Sequence, residues 1–497
     1  MATRVLQSPK TIQKFRYLTR TVNSSVSASS PISDASPLNI DGKPISIIET
    51  EPVTTTPTPT IDLHDHRKLF ASLPTFKLLR SAANLHLSAI EPVVDFGMWV
   101  MNSRLVETGV VRDVVLWTIK HTFFEHFCAG ETEEEVETCV RRINEAGLGG
   151  ILDYGVEHTS DNAGCDRNLQ GFLGTVQLAR SLPPSPASSV AVKITAITPV
   201  SLLKRISDLL RWQYKDPSFN LPWKLNCFPI FSESSPLYHT LEKPEPLTPE
   251  EEQDLELAQQ RLLKICQECA EAGIPLVIDA EDTYLQPSID YFTYSTAIIH
   301  NREDNPVVYG TIQAYLKDAK ERLFLAAEDA DKQGVPMGFK LVRGAYMTSE
   351  RKLASLLGFE SPIQNSIQET HDCYNSCAAF LLERIADGNG GVILATHNVE
   401  SGQLAATKAR NLGIGKGNHK LEFAQLHGMS DSLSYGLSNA GFRVLKYLPY
   451  GPVDKVIPYL LRRAEENRGM LSTSTLDRQL MSMELKRRLK NLIFSVA

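Results

Sequence analysis

The chain has 497 residues, 42% of them apolar, with a formal charge of −7 and a pI near 6.0. That is ordinary for a globular protein able to bury a sizeable core, and it provides no general attraction to nucleic acid. Eight cysteines in so long a chain do not make a disulfide scaffold, and no run of eighteen apolar residues occurs, so a spanning helix is not expected while peripheral membrane contact stays open.

In chain order, the first 33 residues hold Arg4, Lys10, Lys14, Arg16 and Arg20, many Ser and Thr, and no acid before Asp34. That is the composition of an organelle transit peptide, with a merely disordered tail as the alternative. The Pro/Thr-rich "ETEPVTTTPTPT" continues as linker, so 1–61 reads as transit peptide and linker, and folded structure starts near Asp62. Residues 63–105 and 112–128 have helical spacing, and "ETEEEVETCVRRINEAG" reads as a helix with Gly147 as its stop. The span 62–148 is therefore an N-terminal helical arm.

Eight short runs rich in β-branched residues follow, alternating with helical stretches. They are "GILDYGVE" (150–157), "VAVKITAI" (190–197), "IPLVIDAE" (274–281), "PVVYGTIQ" (306–313), "GFKLVRGAY" (338–346), "GVILATHN" (391–398), "KLEFAQLHGM" (420–429) and "FRVLKYLPYG" (442–451). Repeated alternation implies an α/β fold with a parallel sheet, and eight units close most economically into a (β/α)8 barrel over 149–470; a doubly wound open sheet is the alternative. The connection between the second and third strands is too long. It holds an insertion at about 212–250, around "WKLNCFPIFSESSPLYHTLEKPEPLT", and loops of this length are functional or flexible. A helical tail, 471–497, ends the chain. Cys266 and Cys269 form a C-x-x-C, and Cys373 and Cys377 sit close to His371. Both groups fall in helical patterns, so buried thiols are expected rather than zinc or redox chemistry, and no metal site is expected.

In such a barrel the site lies at the carboxyl ends of the strands. Polar residues crowd there: Glu157, Lys193, Thr195, Asp279, Glu281, Gln313, Arg343, Tyr346, His397, Asn398, Gln425, His427 and Tyr450. Strand alternation puts Lys193 with Thr195 on one face, and Asp279 with Glu281. A lysine in an apolar strand is costly unless paired or functional. Structural ion pairs are the plain alternative, but they do not explain the crowding at one end. After the eighth strand comes "VIPYLLRRAEEN" (456–467). At helical spacing Tyr459, Arg462, Arg463 and Glu466 share a face opposite Ile457, Leu460, Leu461 and Ala464, and Pro458 suits the first helical position. Alone, this is a solvated surface helix. Laid across the barrel mouth, it turns both arginines toward the site. With Lys193 they make three cations for one anion, so a small acid is the inferred substrate class.

At "KLVRGAY", "IDAE", "IQAYL", "ATHN" and "YLLRRAEEN" the sequence resembles the proline dehydrogenase family, in its monofunctional mitochondrial type and plant branch, from about 63 to 466. The resemblance implies FAD-dependent oxidation of L-proline to Δ1-pyrroline-5-carboxylate. It implies electrons passed to ubiquinone, peripheral contact with the matrix side of the mitochondrial inner membrane, and no nucleic-acid partner. It makes Lys193, Arg462 and Arg463 the carboxylate-binding cations and Asp279 an acid near the substrate. Tyr346, Tyr447 and Tyr459 enclose the ring, Leu426 is an apolar wall, and Glu157 pairs with Arg462 as a gate. Flavin contacts fall on Asp279, Ala280, Gln313, Lys340, Arg343, Gly344, Ala345, Thr396, His397, Asn398, Gln425 and Glu466. Many bacterial members carry Arg then Lys where this chain has Lys340 then Arg343, and a guanidinium fork is not an ammonium.

No G-x-G-x-x-G follows a strand and opens a helix, so FAD is implied by the family alone. The implied chemistry is hydride removal from proline C5 with the amine neutral, and the protein's task is positioning. Hydroxyproline is the rival substrate within the family, whose members acting on it carry a smaller residue at the position of Tyr447. Outside the family, Lys193 could serve a Schiff-base aldolase, or the barrel could be an idle binding partner.

Overall fold

The structure is a computed structural model that describes residues 60–87, 90–101, 103, 109–182, 188–302, 305–469 and 471–496. The transit-peptide expectation for 1–61 thus lies outside the described residues, apart from its last two. Of those, Ile61 is already buried beside Gly436, so packing starts just ahead of Asp62. All described residues belong to one compact unit, Thr58–Ala497.

Eight parallel strands close a barrel in sequence order: β1 (Gly149–Tyr154), β2 (Ser188–Val192), β3 (Leu276–Ile278), β4 (Val308–Gln313), β5 (Gly338–Val342), β6 (Gly391–Ala395), β7 (Leu421–Leu426) and β8 (Arg443–Tyr450). Closure is made by β1, which pairs with β2 (Asp153 opposite Ala191) and with β8 (Ile151 opposite Tyr447). All eight expected strands are present. Most expected runs overshoot the carboxyl end, because an extended loop and a strand share the same residue preferences. The overshoot matters at β2: the chain turns at Lys193 into a short helix, Ile194–Ile197, so alternation does not reach Thr195. Likewise Asp279 and Glu281 lie beyond β3.

Ile151, Ala191, Val277, Tyr309, Ile393, Ala424 and Leu445 form the interior cluster. Tyr309 fills the space beside Gly338 and Gly391, where any Cβ would collide with its side chain. Helices follow the strands, and their ends obey local chemistry. The helix Pro249–Ala272 starts with a Thr248/Glu251 capping box and Pro249 at its first position, and stops at Gly273 with φ +65°. The helix Glu133–Glu145 is capped by Thr132, with Gly147 just beyond it at φ +79° as the expected stop. The irregular part of the insertion is 216–248, shorter than expected because the preceding helix runs on to Lys215. It is packed, with Leu221, Phe228, Ile230 and Leu247 buried.

The arm and the tail meet. The tail helix Leu471–Val496 lies against His66–Leu69 and Thr75–Leu87. Arg488 donates to the carbonyls of Phe70 (2.7 Å) and Leu73 (2.6 Å), while buried Glu484 takes Arg487, Arg488 and His66. Asp477 accepts from the N–H groups of Asp431 (3.0 Å) and Ser432 (3.1 Å) and so caps the helix after β7. Cys266, Cys269 and Cys377 are buried and Cys373 half-buried, as the helical patterns suggest. Among the described residues no helix is long and apolar enough to cross a membrane.

The helix after β8 spans Val453–Gly469, so Pro458 is inside it and not at its start. The first turn forms earlier than expected because Pro452 O accepts from Lys455 N (2.9 Å) and Val456 N (3.2 Å). Pro458 is on the exposed side, where water can serve the carbonyl its missing N–H leaves free.

Candidate active site

The helix Val453–Gly469 caps the barrel mouth. Val453, Val456, Ile457, Tyr459 and Leu460 join the interior cluster from above, and Met101, Ile119, Phe124 and Phe127 of the arm join it too. Tyr459 and Arg463 are buried and Arg462 half-buried, so the polar face of this helix points inward. The surface-helix reading fails here.

Beneath it lies a network of two ammoniums and two carboxylates. Lys193 Nζ donates to Asp153 Oδ1 (3.1 Å) and Oδ2 (2.9 Å) and is 3.2 Å from Asp279 Oδ2. Lys340 bonds the other oxygen of Asp279. Tyr447 O–H donates to Asp279 (2.6 Å) and accepts from Lys193 (3.2 Å). Both lysines approach the Tyr447 ring, at 5.8 and 5.2 Å from its centroid. Burial disfavours every charge here, yet for Asp279 the pull of Lys340 and Lys193 outweighs it and holds the carboxyl below its usual range. For Lys193, burial is likewise outweighed by Asp153 and Asp279, so its proton is held more tightly than usual. A Schiff-base nucleophile needs the opposite shift, which removes the physical basis of the aldolase alternative. Asp153 is absent from the candidates read from the sequence. Its signal was available: a carboxylate within the apolar "GILDYG", two residues beyond the inward Ile151.

A second group lies at the rim. Arg462 donates twice to Glu157 (2.8 and 2.9 Å) and stacks on Tyr346 at 5.3 Å. Burial would raise the Glu157 carboxyl, but hydrogen bonds from His158 and Arg462 hold it well below the usual range. His158, at φ +58°, lies 3.5 Å from Glu157 and 3.8 Å from Glu281. Glu281 is fully buried, takes the Thr195 hydroxyl at 2.9 and 3.0 Å, and is pushed up to about 7 by burial. Arg463 pairs with Glu466 and stacks on Tyr459 at 4.9 Å. Its Nε and the Tyr459 hydroxyl are buried with no hydrogen-bond partner among the described residues. Buried donors without partners are costly, and an anionic ligand is what two such donors fit. Leu426, at the end of β7, is half-buried beside this group.

The third group surrounds Arg343. This guanidinium donates to His371 (3.1 Å), Thr396 Oγ1 (2.6 Å) and Ser401 Oγ (2.8 Å) and stacks on Tyr374 at 4.3 Å. All of these are neutral, and no acid pairs with it among the described residues. Asn398 caps the helix Val399–Asn411 by accepting from Ser401 N (2.7 Å). An unpaired guanidinium at a helix N-terminus fits a phosphate-bearing group. Nearby, His397 Nε2 accepts from Leu426 N (3.1 Å), which puts the ring proton on Nδ1, and burial pushes this imidazole down to about 3. Gln425 donates to Thr396 O (3.3 Å), and Gln313 donates to Glu281 O (2.7 Å). Gly344 has φ +137°, with the Tyr315 ring where a Cβ would go, so only glycine fits. Ala280 and Ala345 are half-buried in the loops after β3 and β5. Lys340 and Arg343 therefore differ in surroundings as well as chemistry: the first belongs to the Lys193 network, the second to the phosphate-type site.

Comparison with known proteins matches a family model described as Proline dehydrogenase over residues 136–475. An Arabidopsis thaliana protein named proline dehydrogenase 1, mitochondrial, is 60% identical over 432 residues, covering 86% of this chain and 87% of that one. A human hydroxyproline dehydrogenase is 34% identical over 431 residues, covering 84% and 91%. The crystal structure of proline utilization A from Bdellovibrio bacteriovorus inactivated by N-propargylglycine superposes with a TM-score of 0.60 at 20% identity. That likeness covers 82% of this chain but 41% of the larger one, and concerns the fold alone.

Proposed function

The chain belongs to the proline dehydrogenase family, and from that premise we propose that it oxidises L-proline to Δ1-pyrroline-5-carboxylate with FAD, passing the electrons to ubiquinone from the matrix side of the mitochondrial inner membrane. The observation that carries the reading is the inward polar face of Val453–Gly469, with the partnerless Arg463 Nε above the Lys193 network. Arg463, Arg462 and Lys193 bind the substrate carboxylate by charge-assisted hydrogen bonds. Arg463 has a free donor, whereas Arg462 must loosen its grip on Glu157 to take part. That exchange is the gate. Tyr346, Tyr447 and Tyr459 press the ring into place.

Bound FAD supplies the two-electron acceptor for the hydride leaving C5. Arg343, Thr396 and Asn398 would hold its pyrophosphate, and Lys340, Gln313, His397 and Gln425 the ring system. Ala280, Gly344, Ala345 and Glu466 are the remaining proposed contacts. Asp279 orients Lys193, Lys340 and Tyr447; it is a poor general base, because two ammoniums stabilise its ionised form.

Two further observations bear on substrate and membrane. The Tyr447 phenol is anchored on two sides, and in this reading its bulk takes the room a ring hydroxyl would need, which favours proline over hydroxyproline. Phe96, Trp99, Val114 and Trp117 are exposed on two short apolar arm helices, Glu91–Met101 and Gly109–Ile119. Such helices suit a bilayer surface, where tryptophan sits at the headgroup level. A visible spectrum before and after anaerobic L-proline tests cofactor and substrate together. Flavin bands that bleach with proline are expected. A colourless protein, or a flavin that proline leaves oxidised, overturns the proposal.

A further inference from the structure

The insertion 216–248 takes no part in the site described above, yet one stretch of it lies against the two loops that carry Asp279 and Tyr346. Tyr238 stacks on Phe359, with ring centroids 5.0 Å apart and 12° between planes. His239 Nε2 is 3.0 Å from Thr283 Oγ1, in the loop that begins with Asp279. Thr240 Oγ1 donates to Asp208 (2.5 Å), which fixes this stretch to the helix before the insertion. Thr283 then donates twice to Glu350, from N–H to Oε1 and from Oγ1 to Oε2, each at 2.6 Å. Glu350 stands in the first turn of the helix Met347–Leu357, with its own N–H on the Tyr346 carbonyl at 3.0 Å.

The directions of these bonds follow from the groups. The Thr283 hydroxyl donates to Glu350 Oε2, a carboxyl that burial pushes up to about 7; above that pH the carboxylate only accepts and this direction is fixed. His239 must then donate to the Thr283 oxygen, with its proton on Nε2. The result is a chain of bonds from the insertion to the residue that begins the Tyr346 helix. It spans a gap the sheet does not close, since the loops after β3 and β5 are separated by β4. Glu350 is 1% exposed and has no ion pair among the described residues, so Thr283 alone supplies its two strong donors. From the other side Arg211, itself fully buried, holds the carbonyls of Thr283 (2.7 Å) and Tyr284 (2.6 Å). Thr283 is thereby set from two directions, one of them the insertion.

We infer that the insertion is a brace: through His239, Thr283 and Glu350 it sets the Tyr346 backbone, and with it the ring on which Arg462 stacks, so that His239 is a positioning residue for closure over the substrate carboxylate. This rests on the proline dehydrogenase reading of the site. The test is calorimetric binding of tetrahydrofuran-2-carboxylate, a ring carboxylate without the reacting amine, to the full-chain holoenzyme, with Tm read on the same samples. His239→Ala should bind about 3- to 10-fold more weakly, the loss of one hydrogen bond. KM for proline should rise by a similar factor with less change in kcat. His239→Gln, whose amide can donate to Thr283, should restore most of the affinity. Asn226→Ala, elsewhere in the insertion on Gln333, should leave it unchanged. A folded His239→Ala with wild-type affinity, or an Asn226→Ala loss of the same size, overturns the brace. Where His239→Ala does not fold, isosteric Thr283→Val is read in the same way, and wild-type affinity there overturns it. Failure of the wild-type protein to bind the analogue sinks the proline reading instead.

Discussion

Lys193 is the residue whose surroundings change its meaning most. Read as one of three cations for a single anion, it is held between Asp153 and Asp279, and a carboxylate bound there would compete with both. Lys193→Ala should therefore act twice. It removes a charged hydrogen bond to the substrate, costing about 1.5–3 kcal/mol of analogue affinity. It also leaves two buried acids with one ammonium, so Tm should fall. Flavin content should hold; a variant that loses flavin but keeps normal analogue affinity contradicts the assignment. Tyr447 is the proposed specificity residue at the same scale. Tyr447→Ser opens room for a ring hydroxyl and frees Asp279 of one donor, so the proline/hydroxyproline ratio of kcat/KM should drop. An unchanged ratio in steady-state assays argues that the phenol does not select.

At the scale of one element, the helix Val453–Gly469 works because its polar face is buried. Arg462 and Glu157 are joined in a bidentate pair, so the gate can be tested as a coupling. Arg462→Met and Glu157→Ala should each speed dissociation of a bound analogue in stopped-flow measurements. The double variant should do no more than the larger single, since both changes break one contact. Effects that add in free energy would make the arginine a clamp without a gate. Arg463→Met should weaken analogue binding without that coupling, because Arg463 pairs with Glu466 on its own helix.

At the scale of the molecule, the arm and tail close over the barrel as one packed layer. Its polar centre is Glu484, buried with Arg487, Arg488 and His66 around it. Hydrogen bonding by Arg487, against the opposing effect of burial, brings the Glu484 carboxyl from 4.5 down to about 2. Its stabilising share is thus present above pH 4.5 and lost as pH falls through about 2. Glu484→Gln should lower Tm at neutral pH, and the gap from wild type should narrow between pH 4.5 and 2 in thermal melts. A pH-independent gap would mean the charge contributes little. The same layer presents Trp99 and Trp117 outward. Trp99→Ser with Trp117→Ser should cut co-sedimentation with inner-membrane-like vesicles while leaving reduction of a soluble dye intact; unaltered co-sedimentation removes this surface from the membrane proposal.

The sequence by itself determined the barrel. Its eight strands and their helices are set by local periodicity, so they could be counted. Local pattern could not say where a strand stops, and so Lys193 and Thr195 were put on one strand face although the chain coils between them. Nor could it start the last helix correctly, because Pro452 O sets that start. Tertiary structure alone decided the partners. Asp153 meets Lys193 only because β1 and β2 are neighbours in a closed barrel, and His239 meets Thr283 only because the insertion folds back over the loop after β3. Such pairings join residues distant in sequence, and their energies depend on burial and on donor direction, which exist only once the chain has closed.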